Sequence, residues 1–150
     1  MKRIISIVML LVVMAMMPMT ALAKNPYKDV NAKTVDAKGI ESVAYIKKHS
    51  GWKAIVKNGK LNPSKVMTRR EFLIVLHNLY GSAVTVTVAD LKAANKKLTS
   101  AYACKRMVDL SKVLKYPIKW TGTKDKLTRA GAARYIHVFA TFNAALAPKK

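Results

Sequence analysis

Apolar residues recur at helical spacing in four stretches of the chain, and each stretch predicts an amphipathic helix. The stretches cover residues 40–48, residues 68–80, residues from about 101 to 114, and the residues after Thr128. The predicted buried stripes of the last three are Phe72, Val75, Leu76, Leu79 and Tyr80; Ala103, Met107, Leu110 and Leu114; and Ala132, Ile136 and Phe139, with Phe142 and Leu146 near the end. The sequence therefore predicts an all-α fold in which helix–loop–helix units pack as a small bundle.

Turn residues and one alternating segment separate these helices. Ser50-Gly51 and Gly81 are expected to end the first two helices, since glycine is the usual left-handed residue at a helix C-terminus. Asn58-Gly59 and Pro63 predict an irregular loop before the second helix. Residues 84–88 alternate valine with threonine, which predicts either a short strand or a short extended connector.

Two helix starts share a Thr-Arg pair, Thr68-Arg69 and Thr128-Arg129. Thr68 and Glu71 have the spacing of a capping box, in which each side chain accepts a hydrogen bond from the backbone N–H of the other. Arginine is electrostatically unfavourable in a first helical turn, because the helix N-terminus carries partial positive charge. Its presence at both starts predicts a nearby anion, either a protein carboxylate or a ligand.

The order of an acidic–aliphatic pair, a helix, a loop and a Thr-Arg helix occurs twice. The stretch from Asp29 to Thr68 and the stretch from Asp90 to Thr128 are nearly equal in length. These spacings predict an internal repeat of about 60 residues, and such units stack to share a core. The first unit is expected to cover residues 24–81 and the second residues 82–150, with a weaker match in the second.

The first 23 residues have the features of a secretory signal peptide. Lys2 and Arg3 form a basic start, residues 4–17 form an apolar segment, and Ala21-Leu22-Ala23 is a small-x-small cleavage site. An uncleaved anchor is the alternative, but the apolar segment is shorter than the roughly 20 residues that span a bilayer. Residues 24–150 are therefore expected to form an exported mature chain, with no later transmembrane segment.

The predicted mature chain is strongly basic. Without Lys2 and Arg3, 26 basic residues face 7 acidic ones, which is a formal charge of +19. Such a charge favours anionic partners, namely wall polymers, lipid head groups or nucleic acid. Non-specific polyanion binding is therefore one candidate function, although predicted export argues against a specific nucleic-acid partner.

The sequence contains no recognisable catalytic or metal-binding pattern. His49, His77 and His137 stand singly, without the spacing of a zinc site, and nothing resembles a nucleophile elbow. Cys104 is the single cysteine and lies in an apolar helical run, which favours a buried small side chain over a reactive thiol. We therefore expect a protein that is not an enzyme and needs no cofactor or metal.

The first unit resembles the S-layer homology domain family. The resemblance rests on Tyr27-Lys28-Asp29-Val30, the helix at residues 40–48, the loop Asn58-Gly59-Lys60-Leu61-Asn62-Pro63, and Met67-Thr68-Arg69-Arg70-Glu71-Phe72. The second unit is similar through Asp90-Leu91, the helix after Ala101, and Leu127-Thr128-Arg129-Ala130. The resemblance implies α-helical repeats, commonly three, around a central bundle that holds exported proteins non-covalently to anionic wall polysaccharide or peptidoglycan-linked polymer. Only two repeats are visible here, and Glu71 has no counterpart at Gly131.

The resemblance also implies candidate ligand-binding residues. Arg69 and Arg129 match the family's ligand-facing arginine, while Asp29 and Asp90 match an acidic position that binds ligand or orients neighbours. Arg70, beside the first of these arginines, is a further candidate. The alternative is structural: Arg69 pairs with Asp29, and Arg129 pairs with Asp90, tying each repeat's start to its second helix.

Trp52 and Trp120 lie in the loops before the two Thr-Arg helices. Each either stacks on sugar rings or is buried under its loop, and burial is the commoner role of tryptophan. Lysines surround the same loops and could steer a polyanion: Lys53, Lys57, Lys60, Lys65 and Lys124.

The sequence as a whole predicts a secreted, non-catalytic protein at the cell surface or cell wall, or on the periplasmic face of an outer membrane. Its expected partner is anionic cell-wall polysaccharide. The alternative is a structural subunit or adaptor of a surface layer, which self-associates or binds another surface protein.

Overall fold

A computed structural model describes residues 25–148 of the chain. Within this range there are five α-helices: α1 (Ala37–Lys48), α2 (Arg69–Tyr80), α3 (Val88–Lys92), α4 (Ser100–Val113) and α5 (Arg129–Phe142). Two 3-10 turns, Gly81–Ala83 and Ala144–Leu146, follow α2 and α5. Apart from isolated bridges, the described residues contain no β-strand, so the predicted all-α class is confirmed.

The predicted signal peptide, residues 1–23, lies outside the described residues. In residues 25–148, no helix combines the length and the apolar character needed to cross a membrane.

Helix α1 begins earlier than its apolar pattern because Asp36 caps it. The Asp36 carboxylate accepts a hydrogen bond from the Gly39 N–H at 2.8 Å, so the helix starts at Ala37. At the other end, the left-handed residue is Ser50, with φ 61°, and not the predicted Gly51. Glycine is needed at position 51 for close packing instead, since a Cβ there would lie 2.5 Å from Cγ2 of Ile46.

Helix α2 has the boundaries that the sequence predicts. The Thr68 hydroxyl accepts from the Glu71 N–H at 3.2 Å, and the Glu71 carboxylate accepts from the Thr68 N–H at 2.9 Å. The predicted capping box is thus confirmed. Gly81 follows the helix with a positive φ of 57°, a conformation that L side chains rarely adopt.

Residues 84–88 form a connector and not a strand. At its end, the Thr87 hydroxyl accepts from the Asp90 N–H at 3.2 Å and caps the short helix α3. Val88 is therefore the first residue of a helix that the alternating pattern did not predict. Five residues are too few to display a helical period.

Helices α4 and α5 also begin after capping threonines. Thr99 accepts from the Tyr102 N–H at 3.3 Å, and Thr128 accepts from the Gly131 N–H at 3.1 Å. Thr128 is the cap that the sequence predicts. Thr99 is a third helix start of the same kind, and it falls inside the unit predicted for residues 82–150.

The three starts of α2, α4 and α5 are joined by a closed ring of backbone hydrogen bonds. The N–H of Met67 donates to the carbonyl of Leu127 at 2.9 Å, that of Leu127 to Leu98 at 3.0 Å, and that of Leu98 to Met67 at 2.8 Å. Each of these residues immediately precedes a capping threonine, and the three occur at nearly equal intervals along the chain. The ring therefore has approximate three-fold symmetry.

The same face of each of these three helices builds the core below the ring. The side chains four, eight and eleven positions after each threonine are buried: Phe72, Leu76 and Leu79; Ala103, Met107 and Leu110; Ala132, Ile136 and Phe139. Phe142, which the sequence places near this stripe, is instead 68% exposed. At 100° per residue it lies about 90° around the helix from the buried stripe, whereas Leu146, beyond the helix end, is buried.

The two remaining helices pack on outer faces, α1 against α5 and α3 against α2. In the first contact, the Tyr45 and His137 rings stack with centroids 4.4 Å apart, and Ser42 Oγ lies 3.1 Å from His137 Nδ1. This arrangement leaves the N-termini of α2, α4 and α5, with the loops before them, together at one end of the bundle.

Candidate functional site

The loops beside the ring accept hydrogen bonds from the backbone N–H groups that a helix N-terminus normally leaves free. The first N–H of each helix donates to a carbonyl of another loop at 2.9–3.0 Å: Arg69 to Lys96, Ser100 to Asp125, and Arg129 to Lys65. The second N–H of each helix is bonded in the same way, and the third is bonded to the capping threonine. An anion at this end therefore has to be bound by side chains, because the backbone donors are occupied.

Arg129 is buried within the ring. It is 5% exposed, its Nη1 donates to the Leu61 carbonyl at 2.5 Å, and its Nη2 donates to Glu71 Oε1 at 2.6 Å. Burial alone would raise the pKa of Glu71, but the Thr68 N–H and the Arg129 guanidinium together hold that pKa below its ordinary value. The anion predicted beside this first-turn arginine is thus a carboxylate of the protein itself.

Arg69 occupies the equivalent position on α2 but has a different neighbour. Its Cζ lies 4.2 Å from the centroid of the Tyr102 ring, a cation–π contact. Tyr102 stands three residues after Thr99, where Glu71 stands after Thr68, so this junction has no carboxylate. Residues 25–148 contain no ion pair to the partly exposed Arg69. Its positive charge is therefore not neutralised by a contacting acid.

The third junction of the ring has no arginine. Ser100 occupies the equivalent position on α4, and its Oγ lies 2.7 Å from the hydroxyl of Tyr135 on α5. Gly131 stands on α5 where Glu71 stands on α2, and it has no side chain that could contact Ser100, so Tyr135 makes the contact instead. The three junctions of the ring are therefore an ion pair, a cation–π contact and a neutral hydrogen bond.

Asp29 holds the loop before α2. Its carboxylate accepts from the Leu61 N–H at 2.9 Å and from the Asn62 N–H at 2.7 Å. The described residues contain no ion pair between Asp29 and Arg69, so the predicted structural pairing of these two is wrong. The carboxylate is used to fix the loop whose carbonyl at Leu61 receives Arg129.

Asp90 belongs to a polar cluster beside α3 and lines the same groove as Arg70. It accepts from the Tyr102 hydroxyl at 2.6 Å, and its Oδ2 lies 3.4 Å from Nη1 of Arg106. Burial opposes ionisation, yet bonds from Tyr102 and Thr87 and the nearby Arg106 keep the pKa of Asp90 below its ordinary value. The predicted pairing of Asp90 with Arg129 is wrong, because each has another partner.

The two tryptophans differ in exposure. Trp52 is completely buried, and its indole N–H donates to the Val43 carbonyl at 3.2 Å, so burial under the loop is confirmed for this residue. Trp120 is half-buried, with its ring centroid 5.9 Å from that of Tyr135 and 6.5 Å from that of Phe139. Of the two, Trp120 alone can reach a ligand without unfolding its surroundings.

Arg70 is exposed and stands at one end of an open groove between α2 and α3. The groove has a volume of about 540 Å³, and its lining includes Ile74, His77, Asn78, Leu91 and Asn95, together with Asp90, which is only 6% exposed. Apolar side chains alternate there with amide and imidazole groups that can hydrogen-bond. Such a lining suits a ligand with both C–H and hydroxyl surface.

Lysines add to the charge at this end of the bundle. Lys96 and Lys97 lie in the loop whose carbonyls receive the first N–H groups of α2, and Lys97 forms a backbone bridge with Thr68. We call the group Arg69, Arg70, Lys96 and Lys97 the cationic corner. Every lysine in residues 25–148 is exposed, whereas Glu71 and Asp90 are engaged in internal contacts.

Titratable groups outside the cationic corner have structural surroundings. Cys104 is 1% exposed, as predicted for a buried small side chain, and burial raises the pKa of its thiol. His137 is part of the α1–α5 contact. Among the described residues, no three His, Cys, Asp or Glu side chains are grouped so that they could hold a metal ion.

Sequence reasoning identified Arg69 and Arg70 but missed their surroundings. The helix start at Thr99 brings these surroundings to α2. Lys96 and Lys97 lie in the loop before it, and Tyr102 lies in its first turn. A usable signal was present, because Met67-Thr68, Leu98-Thr99 and Leu127-Thr128 place an apolar residue before a threonine at nearly equal intervals.

Comparison of the chain with protein-family models, curated proteins and solved structures found no match. A function has therefore to be inferred from the residues of the chain itself.

Proposed function

We propose that this protein attaches non-covalently to an anionic polysaccharide of the cell envelope, and that the cationic corner is its binding site. The observation that carries the proposal is the state of Arg69 and Arg70. The other three arginines in residues 25–148 each pair with a carboxylate, while these two neighbours have none. A guanidinium binds a carboxylate or phosphate through two parallel N–H donors, so an anionic polymer supplies the missing partner.

The overall charge supports the same partner. The predicted mature chain carries +19, and its described lysines all face solvent. A field of one sign attracts a polyanion over several ångströms and raises the association rate, more strongly at low salt. A polymer with a charge on each repeating unit can also engage the corner and further lysines together, which strengthens attachment without additional specific contacts.

The groove beside Arg70 gives the proposal its preference for a saccharide. A sugar ring next to the charged group can lie along α2, where His77, Asn78 and Asn95 offer hydrogen bonds to hydroxyls. Ile74 and Leu91 offer apolar surface to the C–H faces of the ring. A polyanion without this mixed surface, such as nucleic acid, gains only the charge contribution.

The resemblance to S-layer homology domains supports the proposal. Members of that family commonly carry three repeats around a central bundle, and three threonine-capped helix starts meet in the ring of this chain. Arg69 is accessible for the ligand role that the resemblance implies, whereas Arg129 is committed to Glu71. The signal-peptide features of residues 1–23 support export to the envelope, where the protein would act as an adaptor or as a component of a surface coat.

Co-sedimentation with purified cell-wall sacculi tests the proposal. Residues 24–150 are mixed with sacculi before and after chemical removal of the secondary polymer, at low and at moderate salt. We expect binding to intact sacculi at both salt concentrations and its loss after removal of the polymer. Arg70→Ala should weaken binding about tenfold or more, as expected for one lost charge-assisted hydrogen-bonded contact, and Arg69→Lys should weaken it because lysine lacks the forked donor.

The matched control removes equal charge elsewhere. Lys48→Ala and Lys53→Ala together take two exposed cations from the surface, and we expect them to leave binding at moderate salt nearly unchanged. Far-UV circular dichroism of each variant checks that the fold is intact. If the lysine variant loses as much affinity as the Arg69→Ala/Arg70→Ala variant, binding depends on charge alone and the cationic corner is not a site. Binding that survives removal of the polymer would assign a different partner.

A further inference from the structure

A second exposed surface lies at the far end of α5 from the ring. Phe142 is the last residue of this helix, about 20 Å from its start, and is 68% exposed; Val138, one turn earlier, is 52% exposed. With Ile118 and Trp120 they border a groove of about 240 Å³. We call these four residues the apolar rim. Val138 and Phe142 are exposed, while Ile118 and Trp120 lie partly buried beside them. Exposed large apolar side chains in one place indicate a contact surface.

The part of the chain that forms the apolar rim carries many more cations than acids. Residues 110–148 contain seven lysines and arginines and one acidic residue, Asp125. Lys119 lines the groove, Lys115 precedes it, and both are exposed. No acidic side chain lines this groove. The partner that fits this surface is therefore apolar in its interior and negatively charged around it.

Trp120 has the environment of a residue at a water–lipid boundary. Its ring packs on Tyr135 and Phe139 from one side and is half-exposed on the other. Tryptophan with one apolar side and one wet side is enriched at the head-group level of membranes.

We infer that the apolar rim docks on an anionic phospholipid bilayer. Phe142 and Val138 enter the boundary between head groups and acyl chains, Trp120 lies at head-group level, and Lys115 and Lys119 contact the lipid phosphates. Apolar insertion and attraction to anionic lipid act together in reversible surface binding. This surface is at the other end of α5 from the ring, so the inference does not depend on the proposed polymer site.

The charge and size of the rim favour a bilayer over a protein. A second copy of the chain would bring the same lysines against Lys115 and Lys119, and like charges oppose such a contact. A stable protein interface also involves roughly 20–30 residues on each side, while the apolar rim has four. A bilayer needs only a few inserted side chains when lysines supply the remainder of the attraction.

The test is flotation of residues 24–150 with vesicles of phosphatidylcholine, with and without phosphatidylglycerol. This part of the chain contains every core residue of the described structure. We expect flotation with phosphatidylglycerol vesicles and a blue shift of tryptophan emission. The shift reports on Trp120, because Trp52 is already completely buried.

Exposed valines supply a matched pair of variants. Val138→Ser alters the apolar rim, whereas Val88→Ser makes the same change at a residue that is 67% exposed on α3. We expect Val138→Ser and Phe142→Ser to lower vesicle affinity, the second about tenfold, as for loss of one partly buried aromatic side chain. Val88→Ser should bind vesicles as the parent does, and the rim variants should still bind sacculi.

Three outcomes would overturn the inference. One is the absence of flotation with phosphatidylglycerol. Another is flotation that the rim variants leave unchanged and salt removes, which would mean that charge alone binds the vesicles. The third is a dimer in analytical ultracentrifugation that Phe142→Ser dissociates, which would make a second copy the occupant of the apolar rim.

Discussion

The contact between Arg129 and Glu71 gives the sharpest test of how the ring is held. Nη2 and Oε1 are 2.6 Å apart, and Arg129 is 5% exposed, so its charge has little access to water. Glu71→Gln removes the negative charge but keeps a side chain that can accept from the Thr68 N–H. The guanidinium then remains buried with the Leu61 carbonyl as its hydrogen-bond acceptor.

The expected cost follows from the burial of the pair. Removing one partner of a buried ion pair costs about 3–5 kcal/mol, and the partial exposure of the Glu71 carboxylate puts this case near the lower figure, about 3 kcal/mol. For a domain of this size, such a loss corresponds to a fall in Tm of roughly 10 °C. Arg129→Leu should cost a similar amount, because it leaves Glu71 with only the exposed Lys65, 3.8 Å away, and the Leu61 carbonyl without its donor.

Urea and thermal unfolding followed by far-UV circular dichroism measure these losses. Arg70→Leu is the matched control for Arg129→Leu: it removes a guanidinium from an exposed position and should change stability by less than about 0.5 kcal/mol. The double variant Glu71→Gln/Arg129→Leu should lose less stability than the sum of the two single losses, and the difference, a coupling energy, should be about 1–3 kcal/mol. If Arg129→Leu is no more destabilising than Arg70→Leu, the ring does not depend on this pair and the reasoning is refuted.

Three further predictions concern the ring. The pKa of Glu71 is lowered in the folded state, so its carboxylate stabilises the fold fully above pH 4.5, the ordinary pKa, and this stabilisation is lost as the pH falls through the lowered pKa. Glu71→Gln should therefore flatten the acid limb of a plot of urea midpoint against pH. Gly122→Ala should destabilise by about 1–3 kcal/mol, since a Cβ would lie 2.5 Å from the Ser100 carbonyl oxygen, whereas Gly131→Ala meets only ordinary contacts and should stabilise by about 0.5–1 kcal/mol. Tyr135→Phe should cost about 1 kcal/mol by removing the 2.7 Å contact with the Ser100 hydroxyl, which then keeps only the longer bond from the Thr123 N–H, and urea unfolding would contradict it if the variant matched the parent.

Features that depend on neighbours along the chain were predicted well. The capping box of α2 is encoded by Thr68 and Glu71 alone, and the glycine that ends the helix follows from its tolerance of positive φ. The buried stripes of α2, α4 and α5 follow from helical periodicity, which depends only on spacing. Tyr80 and Leu114 are only partly buried, and Phe142 is exposed, since the direction of the core relative to the end of a helix is set by tertiary packing.

Features that depend on distant parts of the chain were not predicted. Leu98-Thr99 repeats the apolar–threonine pairs at Thr68 and Thr128, but this weak signal gains meaning only when the three apolar residues bond to one another in the ring. The partner of each first-turn arginine is likewise set by which helix lies beside it. Arg129 meets Glu71, 58 residues away, and no spacing along the chain indicates that contact.

The differences among the three junctions explain why only one of the two arginines at the ring lacks an ion-pair partner. The position after each threonine points to the next helix in every case, but the residue that it meets is a glutamate, a tyrosine or, across Gly131, the more distant Tyr135. An arginine that meets glutamate forms a structural ion pair, as Arg129 does, and its charge is neutralised inside the ring. Arg69 meets the face of Tyr102, which holds the guanidinium in place without neutralising it. The same fold thus produces a structural ion pair at one junction and a fixed, uncompensated charge at another, which is why the proposed polymer site includes Arg69 and not Arg129.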